Sequence, residues 1–393
     1  MVGVKSKFEL ADIIRRFGKE LIQQEKLTCD QTKALFNIAQ CRTASLGGHQ
    51  ERCDCCGATS YSYNSCGDRH CPKCLWAKQA LWVEKLVHAT LPVKHYHIIF
   101  TVPHCLNAIC LWNKRMFYTV LFDAVWKTLH SFGYTHYGVE SGAIAILHTW
   151  GENLSLHPHI HCIVPAAGYT MNGSWKSIGA QGKFLYPVHQ LSETFRGKFL
   201  NSLKRKLRKR DMLNGFNANI QQAYLKSWIV FSEASMAKAE HVIQYLGQYT
   251  HRVAISNQRI LNVTDTQVTF TGKDYKNNAQ RKPMTLAGVE FLRRFCLHIL
   301  PKRFVKIRRY GIYNSTTQRN LDLQFVPESK PDIFEQDSTK EKETAQQLVK
   351  RLTGFDVHKC RVCNKGTMQV VKTIPRIRSP SQHLPSLLLM LVQ

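Results

Sequence analysis

Apolar residues recur every three or four positions in several segments of the chain, and this period predicts amphipathic helices. Residues 112–132 carry apolar residues four apart, which is the spacing of one helix face. Residues 195–210 have a similar pattern, and their remaining positions include the basic runs KRK and RKR. Further helices are predicted over residues 8–40, 75–91, 238–249 and 284–300.

Shorter apolar runs, rich in β-branched and aromatic residues, predict strands between these helices. Such runs occupy residues 96–102, 143–150 and 159–164. Residues 259–263 and 267–271 flank a short polar turn, which predicts a hairpin.

The order of these elements over residues 92–310 predicts an α+β fold, in which helices flank a mostly antiparallel sheet. Three domains are predicted on this basis. They are a helical, cysteine-rich module at 1–91, the α+β domain at 92–315, and a linker and tail at 316–393. The linker is placed in this last part because residues 327–344 are rich in Glu, Asp, Lys and Ser.

The charge of the chain predicts a polyanionic partner. Its 54 Lys and Arg residues outnumber 27 Asp and Glu residues, which leaves a formal charge of +27. Self-repulsion of that size opposes a compact fold unless a partner supplies counter-charge, and nucleic acid is the usual polyanion. A basic protein that binds nucleic acid without specificity would have the same charge.

The ends of the chain predict a cytoplasmic protein without a membrane partner, associated with the nucleoid if it binds DNA. The N-terminus carries charges throughout, unlike a signal peptide. The apolar run LPSLLLMLVQ is too short to span a bilayer. In the cytoplasm, the 14 cysteines are more typical of metal binding than of disulfides.

Two CxxC knuckles predict a zinc site. Cys53 and Cys56 form the first knuckle, and Cys71 and Cys74 form the second, fourteen residues later. Two such turns can place four thiolates around one tetrahedral Zn²⁺. A closed site of this kind is structural and stabilises a module that has little core of its own.

Further donors surround these knuckles. A second zinc would draw on Cys41, His49, Cys66 and His70. Near the C-terminus, Cys360 and Cys363 form a CxxC pair with no partner pair nearby. That pair is either half of a site completed elsewhere or has no metal role.

Three histidines alternate along a predicted strand in the segment SLHPHIHCIVP. His159 and His161 project to one face of that strand, because alternate residues share a face. Two adjacent imidazoles can bind a metal and leave positions open for substrate, as Lewis-acid catalysis on a phosphate requires. The expected third ligand is His157, which has the same parity, with Glu152 as the next choice.

Two tyrosines lie four residues apart in AKAEHVIQYLGQYTHR, so a helix would place Tyr245 and Tyr249 on one face. The spacing alone favours core packing, because Val242 and Leu246 complete an apolar stripe. Near a bound metal the pair would acquire a chemical role. A phenol has a pKa of ~10 and is mostly protonated at neutral pH, so it attacks a phosphate only when a metal activates that phosphate.

Five stretches of the sequence resemble a known family. They are CRTASLGGH, YNSCGDRHCPKC, HIIFTVP, LHTWGENLSLHPHIHCIVPAAG and YLGQYTHRVAISNQRI, in this order. They resemble the zinc-binding, two-tyrosine HUH transposases of rolling-circle insertion sequences. The resemblance covers roughly residues 20–315.

The resemblance implies a site and a reaction. His159 and His161 would bind Mg²⁺ or Mn²⁺ beneath a scissile phosphate, and Tyr245 and Tyr249 would be the nucleophiles. A tyrosine oxygen would attack single-stranded DNA at the transposon ends, giving a 5′-phosphotyrosine and a free 3′-OH. Strand transfer to a target would then need no ATP.

The resemblance also makes residues 1–91 a DNA-recognition module and residues 92–315 the nuclease domain. Basic side chains then become candidates for contacts to the DNA backbone. They are Lys204, Arg205, Lys206, Arg208 and Arg252, with the run 302–309 as a further candidate. Trp150, Trp175 and Trp228 are candidates for stacking on unpaired bases.

Other functions remain compatible with these motifs. One is a non-enzymatic, zinc-module DNA-binding protein in which the histidines and tyrosines are structural. Another is a metal-dependent hydrolase that uses water as its nucleophile. Relaxases and replication initiators share the tyrosine chemistry, and the N-terminal cysteine module is what favours a transposase over them.

Overall fold

The computed structural model describes residues 6–74, 90–91, 93–179, 184–233, 254–274, 280–320, 344, 347, 350–351, 354 and 356–377. The helices are α1 (Leu10–Gln24), α2 (Cys29–Ala39), α3 (Asn107–Trp112), α4 (Lys114–Phe132), α5 (Val188–Arg208), α6 (Asn217–Leu225), α7 (Gly288–Leu297) and α8 (Ser315–Asn320). Two predicted helices, 75–91 and 238–249, fall outside the described residues, apart from 90–91.

The strands alternate with these helices and confirm the predicted α+β class. They are β1 (Gly48–Cys53), β2 (Thr59–Tyr63), β3 (His95–Thr101), β4 (Val139–Glu140), β5 (Gly142–Trp150), β6 (Leu156–Pro165), β7 (Ala167–Thr170), β8 (Trp175–Ser177), β9 (Val230–Glu233), β10 (Ile260–Val263), β11 (Gln267–Asp274), β12 (Gln280–Ala287), β13 (Ile307–Gly311) and β14 (Met368–Ile374).

A five-stranded antiparallel sheet, with the order β13-β5-β6-β3-β9, lies at the centre of the molecule. In this sheet Ile160 of β6 lies opposite Phe100 of β3 and Leu147 of β5. Residues that face each other across paired strands project to the same side. The register therefore assigns each residue of these three strands to one of two faces.

The first face of the central sheet is covered by α4 and α5. Phe100 packs edge-on against Phe195 of α5, with ring centroids 5.0 Å apart. Phe117 of α4 packs in the same way against Phe199, at 5.4 Å. The apolar stripes predicted for residues 112–132 and 195–210 are thus the buried faces of these two helices.

The second face of the central sheet carries a smaller apolar cluster and several histidines. The cluster consists of Ile144, Ile146, Ile163, Ile312 and Tyr313. His148, His159 and His161 follow on the same face, because His148 lies opposite His159 and Ile146 lies opposite His161. The sheet thus separates the main core from a polar site.

A second core joins the beginning of the chain to residues far along it. Leu10, Phe17 and Leu35 of the first two helices are buried with Phe270 of β11 and Phe291 of α7. Residues 10–39 therefore share their core with residues 254–299. Helix α2 begins with a capping box, in which the Thr28 hydroxyl accepts the Gln31 N–H and the Gln31 side chain accepts the Thr28 N–H.

The hairpin predicted near residue 265 is present as β10 and β11, with Val263 paired to Val268. A third strand, β12, extends it, and Leu286 pairs with Val268. The helix predicted to start at residue 284 accordingly begins only at Gly288, because residues 280–287 pair with β11 instead. Among the described residues, no helix is both long and apolar enough to cross a membrane.

A separate three-stranded sheet has the order β14-β1-β2 and joins residues 48–63 to residues 368–374. Strand β1 pairs with β2, its neighbour in sequence, and also with β14, more than 300 residues later. The C-terminal strand thereby becomes part of the N-terminal cysteine-rich region.

Candidate metal centres and DNA contacts

Three imidazoles meet on the histidine-bearing face of the central sheet. His159 and His161 are alternate residues of β6, and His148 of β5 lies directly opposite His159. One ring nitrogen of each lies within 4.8 Å of the other two, so the group could hold one metal ion. The ring centroids of His148 and His161 are 4.3 Å apart.

The third member of this group is His148 and not the expected His157. The His157 ring lies outside the group, with its centroid 4.9 Å from that of His159 and 5.3 Å from that of His104. Glu152, the next choice, forms ion pairs with Arg281 at 3.2 Å and Lys273 at 3.7 Å. Alternation along β6 favours His157, because it points to the same face as His159 and His161. In the structure the third imidazole belongs to His148 on the neighbouring strand, β5.

Burial keeps the imidazoles of His159 and His161 in the neutral form that binds metals. Loss of hydration lowers the pKa of His159 to about 3, and the nearby His157 adds to the effect. Burial also lowers the pKa of His161, with further contributions from His148, His159 and His97. His159 and His161 are therefore uncharged at neutral pH.

Hydrogen bonds orient two of the rings. His159 Nδ1 lies 2.6 Å from the carbonyl oxygen of His157, to which it can donate. His161 Nδ1 lies 2.8 Å from His97 Nε2, and His97 Nδ1 lies 3.3 Å from a carboxylate oxygen of Glu233. The His157 carbonyl thus directs Nε2 of His159 towards a ligand, and the chain from Glu233 through His97 does the same for Nε2 of His161. Sequence reasoning missed His97, although it is the first residue of the stretch HIIFTVP in strand β3.

Eight cysteines form two groups of four. The first group consists of Cys41, Cys66, Cys71 and Cys74. The Cys74 sulfur lies 3.4 Å from that of Cys41 and 3.6 Å from that of Cys66. Thiolates on a tetrahedral zinc with bonds of about 2.3 Å lie roughly 3.8 Å apart, so the group is close to ligand geometry. Hydrogen bonds with neighbouring thiols, Cys66 foremost, lower the pKa of Cys41 to about 7.

The second group consists of Cys53, Cys56, Cys360 and Cys363. The sulfurs of Cys53 and Cys363 lie 3.7 Å apart, as do those of Cys56 and Cys360. Backbone N–H groups, that of Gly366 foremost, donate to the sulfur of Cys363 and lower its pKa to about 6. Both groups fit structural Zn²⁺.

This grouping replaces the one expected from the spacing of the knuckles. Cys53 and Cys56 do not share a group with Cys71 and Cys74. Cys53 and Cys56 share a group with Cys360 and Cys363, because β14 brings the C-terminal pair beside β1. Cys71 and Cys74 share theirs with Cys41 and Cys66. Adjacent knuckles in the sequence are thus not partners in space.

The two histidines expected at a second zinc lie outside both groups. His70 Nδ1 lies 3.0 Å from a carboxylate oxygen of Asp68, and its Nε2 accepts the backbone N–H of Leu300 at 3.2 Å. His49 lies on β1, paired with Ser62 of β2. The other two donors of the expected second site, Cys41 and Cys66, belong to the first group.

The predicted DNA contacts fall partly within the described residues. Tyr245, Tyr249 and Arg252 lie outside them. Three predicted residues line a groove of about 780 Å³ beside α4 and α5; they are Lys204, Arg205 and Arg208, and Lys127 and Lys198 join them there. Lys206 lies on the same helix and is half-buried.

The tryptophans and the second basic run have packing contacts. Trp228 is buried, and its indole N–H donates to the Ala223 carbonyl at 2.9 Å. Trp175 packs edge-on against Tyr169 at 5.0 Å, and Trp150 stacks on His148 at 5.2 Å. In the run 302–309, the guanidinium of Arg308 lies 4.2 Å from the centre of the Phe122 ring.

Two family models match the chain. The one described as "Transposase zinc-binding domain" matches residues 13–102, and the one described as "Putative transposase" matches residues 142–320. The first covers α1, α2 and the N-terminal cysteines, and the second covers the histidine strands.

Two relatives agree with these matches. The chain is 37% identical over 390 residues to "Putative transposase y4qJ" of Sinorhizobium fredii (strain NBRC 101917 / NGR234), which covers 95% of this chain and 97% of the relative. It is 24% identical over 301 residues to "Transposase for insertion sequence element IS801" of Pseudomonas savastanoi pv. phaseolicola, covering 74% of this chain and 72% of the relative. No solved structure matches the chain. The chain therefore belongs to the family of zinc-binding transposases of insertion sequences, whose substrate is DNA.

Proposed function

We propose that this transposase nicks and rejoins single-stranded DNA at the ends of an insertion sequence through a 5′-phosphotyrosine intermediate. The observation that carries the proposal is the group formed by His148, His159 and His161 on one face of the central sheet. Three imidazoles can hold Mg²⁺ or Mn²⁺ and leave further positions for phosphate oxygens. When bound, the ion withdraws charge from the scissile phosphate.

The proposed nucleophiles are Tyr245 and Tyr249. A phenolic oxygen bonds to phosphorus while the bond from phosphorus to the 3′ oxygen breaks, and the phenol proton is lost as the leaving 3′ oxygen gains one. The downstream segment of the strand therefore stays on the protein through its 5′-phosphate, and the upstream segment is released with a free 3′-OH. One P–O bond is formed for each one broken, which is why a free 3′-OH can later reverse the step without ATP. A second tyrosine allows a second cleavage while the first strand remains attached.

Neighbouring residues orient the imidazole rings of the histidine group. His159 is held by the His157 carbonyl, and His161 is held by His97, itself 3.3 Å from Glu233. The carboxylate increases the electron density on His97, which makes it a better acceptor for the His161 N–H. These contacts support a group that is preorganised for a metal rather than a set of packed core histidines.

The basic groove supports binding to the DNA backbone. Lys127 and Lys198 extend from α4 and α5 into the groove that Lys204, Arg205 and Arg208 also line. These helices cover the face of the sheet opposite the histidines. We assign the groove to DNA that flanks the cleavage site, because it does not open on the histidine face.

The small sheet of the zinc-binding module supports contact with unpaired bases. Tyr61 and Tyr63 of β2 are exposed, and their rings are nearly parallel, with centroids 6.4 Å apart. Bases in a strand stack about 3.4 Å apart, so a base inserted between the rings would need only a small separation of them. Gln50 of β1 pairs with Tyr61 on one side and with Lys372 of β14 on the other. The Lys372 side chain therefore projects to the same face as Tyr61, where it can bind a DNA phosphate.

A denaturing protein gel tests this function. The protein is incubated with Mg²⁺ and a single-stranded oligonucleotide that carries the end of the element. A covalent protein–DNA adduct supports the proposal, and the double variant Tyr245→Phe/Tyr249→Phe is expected to abolish it. Cleavage without an adduct would identify a hydrolase that uses water, and binding without cleavage would identify a DNA-binding protein.

A further inference from the structure

We infer that residues 356–377 belong to the zinc-binding module, and that Cys360 and Cys363 complete a second Zn²⁺ site with Cys53 and Cys56. The match to the zinc-binding domain ends at residue 102, so it contains half of these ligands. The inference concerns metal binding and stands whether or not the proposed cleavage reaction is correct.

The sulfur positions are those of a four-thiolate site. All four sulfurs lie within 4.8 Å of one another. The pairs Cys53–Cys363 and Cys56–Cys360 are each separated by 3.7 Å, near the roughly 3.8 Å expected on a tetrahedral zinc. Disulfide sulfurs lie about 2.05 Å apart, and these cysteines are free. The arrangement is therefore that of metal ligands rather than of cross-links.

In both knuckles, backbone N–H groups point at cysteine sulfurs. The N–H groups of Cys55 and Cys56 point at the Cys53 sulfur, at 3.4 and 3.5 Å. In the C-terminal knuckle the Val362 N–H points at the Cys360 sulfur, and the Gly366 N–H points at the Cys363 sulfur, each at 3.4 Å. Backbone dipoles aimed at sulfur stabilise thiolates, the form that binds zinc.

The conformation after each knuckle is also shared. Gly57 follows Cys56 with φ of 71°, and Asn364 follows Cys363 with φ of 54°. Both are left-handed conformations, which glycine and asparagine adopt at the lowest cost. The second CxxC is therefore folded as a metal knuckle in its own right.

The two knuckles are packed closely against each other. A Cβ atom on Gly366 would lie 2.5 Å from the Cys53 sulfur and 2.6 Å from the Cys55 Cβ, so this position admits only glycine. The Asp54 N–H donates to the Thr367 carbonyl at 3.2 Å, and the Thr367 N–H donates to the Asp54 carboxylate at 2.8 Å. Strands β1 and β14 continue this contact through six residue pairs, from Cys53–Met368 to Gly48–Ile374.

Zinc content of the purified full-length chain tests the inference. The chain is expected to hold two zinc ions, and Cys360→Ser/Cys363→Ser is expected to hold one. Cys53→Ser/Cys56→Ser should also hold one, and so should the variant with all four serines, because every change removes the same ion. Cys29→Ser, at an exposed cysteine outside both groups, should retain two.

The inference is overturned if Cys360→Ser/Cys363→Ser retains both ions, or if the four-serine variant holds fewer than either double variant. Alkylation of the unaltered protein, read by mass spectrometry, avoids variants that fail to fold. With zinc bound, Cys360 and Cys363 should react about tenfold more slowly than after zinc is removed by a chelator, whereas the exposed Cys29, outside both groups, should react equally in both states. Unchanged reaction rates at Cys360 and Cys363 after chelation would contradict the site.

Discussion

At the scale of single residues, the register of one strand pair decides which imidazole completes the metal group. His148 faces His159, and the register then shifts, so that Trp150 faces Leu156. Periodicity along the sequence is enough to place His159 and His161 on one face. Periodicity cannot identify the third ring, because that ring lies on another strand. Which residue of β5 faces His159 depends on the length of the connection between β5 and β6 and on the bulge between His148 and Trp150. His148 could have been found by pairing residues outward from the turn between the predicted strands 143–150 and 159–164, because this places His148 close to His159.

His148→Ala is the first residue-scale prediction. Removing this imidazole leaves two ligands, so DNA cleavage at limiting Mg²⁺ should fall on the order of 100-fold. The matched control is His157→Ala on the adjacent strand, which removes a histidine outside the group and should change the rate less than about threefold. The measurement is the initial rate of oligonucleotide cleavage as a function of Mg²⁺ concentration. A larger decrease in the His157 variant would make His157 the third ligand instead.

His97 is predicted to act on the metal through His161. His97→Phe removes the acceptor for the His161 N–H and should raise the half-saturating metal concentration about 10- to 100-fold. The rate at saturating metal should change far less, because His97 does not touch the substrate. Glu233→Gln keeps a hydrogen-bonding group and should have a smaller effect in the same direction. A slower rate with unchanged metal dependence would assign His97 to packing alone.

At the scale of elements, the sequence predicts long apolar stripes correctly but not the boundaries that strand pairing sets. Helices α4 and α5 bury the predicted stripes, because a helix face is encoded by local spacing. Residues 284–287 have a helix-compatible sequence but form the end of β12, where Thr285 pairs with Thr269 and Leu286 with Val268. Cross-strand partners override local preference in such segments.

Strand β2 carries the prediction at this scale. Tyr61→Ala/Tyr63→Ala should weaken binding of single-stranded DNA by about 1–3 kcal/mol for each base that stacks. The matched control is Ser62→Ala, which lies between the two tyrosines and pairs with His49 on the other face of the strand. The affinity is measured by fluorescence anisotropy with an oligonucleotide of the element's end. Equal affinities for the tyrosine variant and the control would remove this face from the DNA interface.

At the scale of the whole molecule, the decisive interactions join segments far apart in the sequence. Cys53 and Cys363 are separated by 310 residues, and no local pattern indicates that they meet. The charge, the metal-binding residue types and the family can be predicted from the sequence. The partition of the thiols into two groups cannot, because it depends on where β14 returns.

The net charge of +27 predicts strongly salt-dependent DNA binding. Lys204→Glu/Arg205→Glu/Arg208→Glu should lower the slope of log affinity against log salt by about 0.7–0.9 for each phosphate that is no longer neutralised. Reversal of Lys176, Lys226 and Lys282, which are exposed outside the groove and outside residues 1–91, changes the net charge equally and is the control. If both triple variants lower the slope equally, the groove makes no specific contribution.

Peptide mapping of the covalent adduct tests the central claim most directly. The protein is reacted with Mg²⁺ and single-stranded DNA of the element's end, the DNA is digested, and tryptic peptides are analysed by mass spectrometry. We expect a nucleotide linked through its 5′-phosphate to Tyr245 or Tyr249, and its absence when His148 and His161 are replaced by alanine. Cleaved DNA with no nucleotide on either tyrosine would contradict the proposed mechanism.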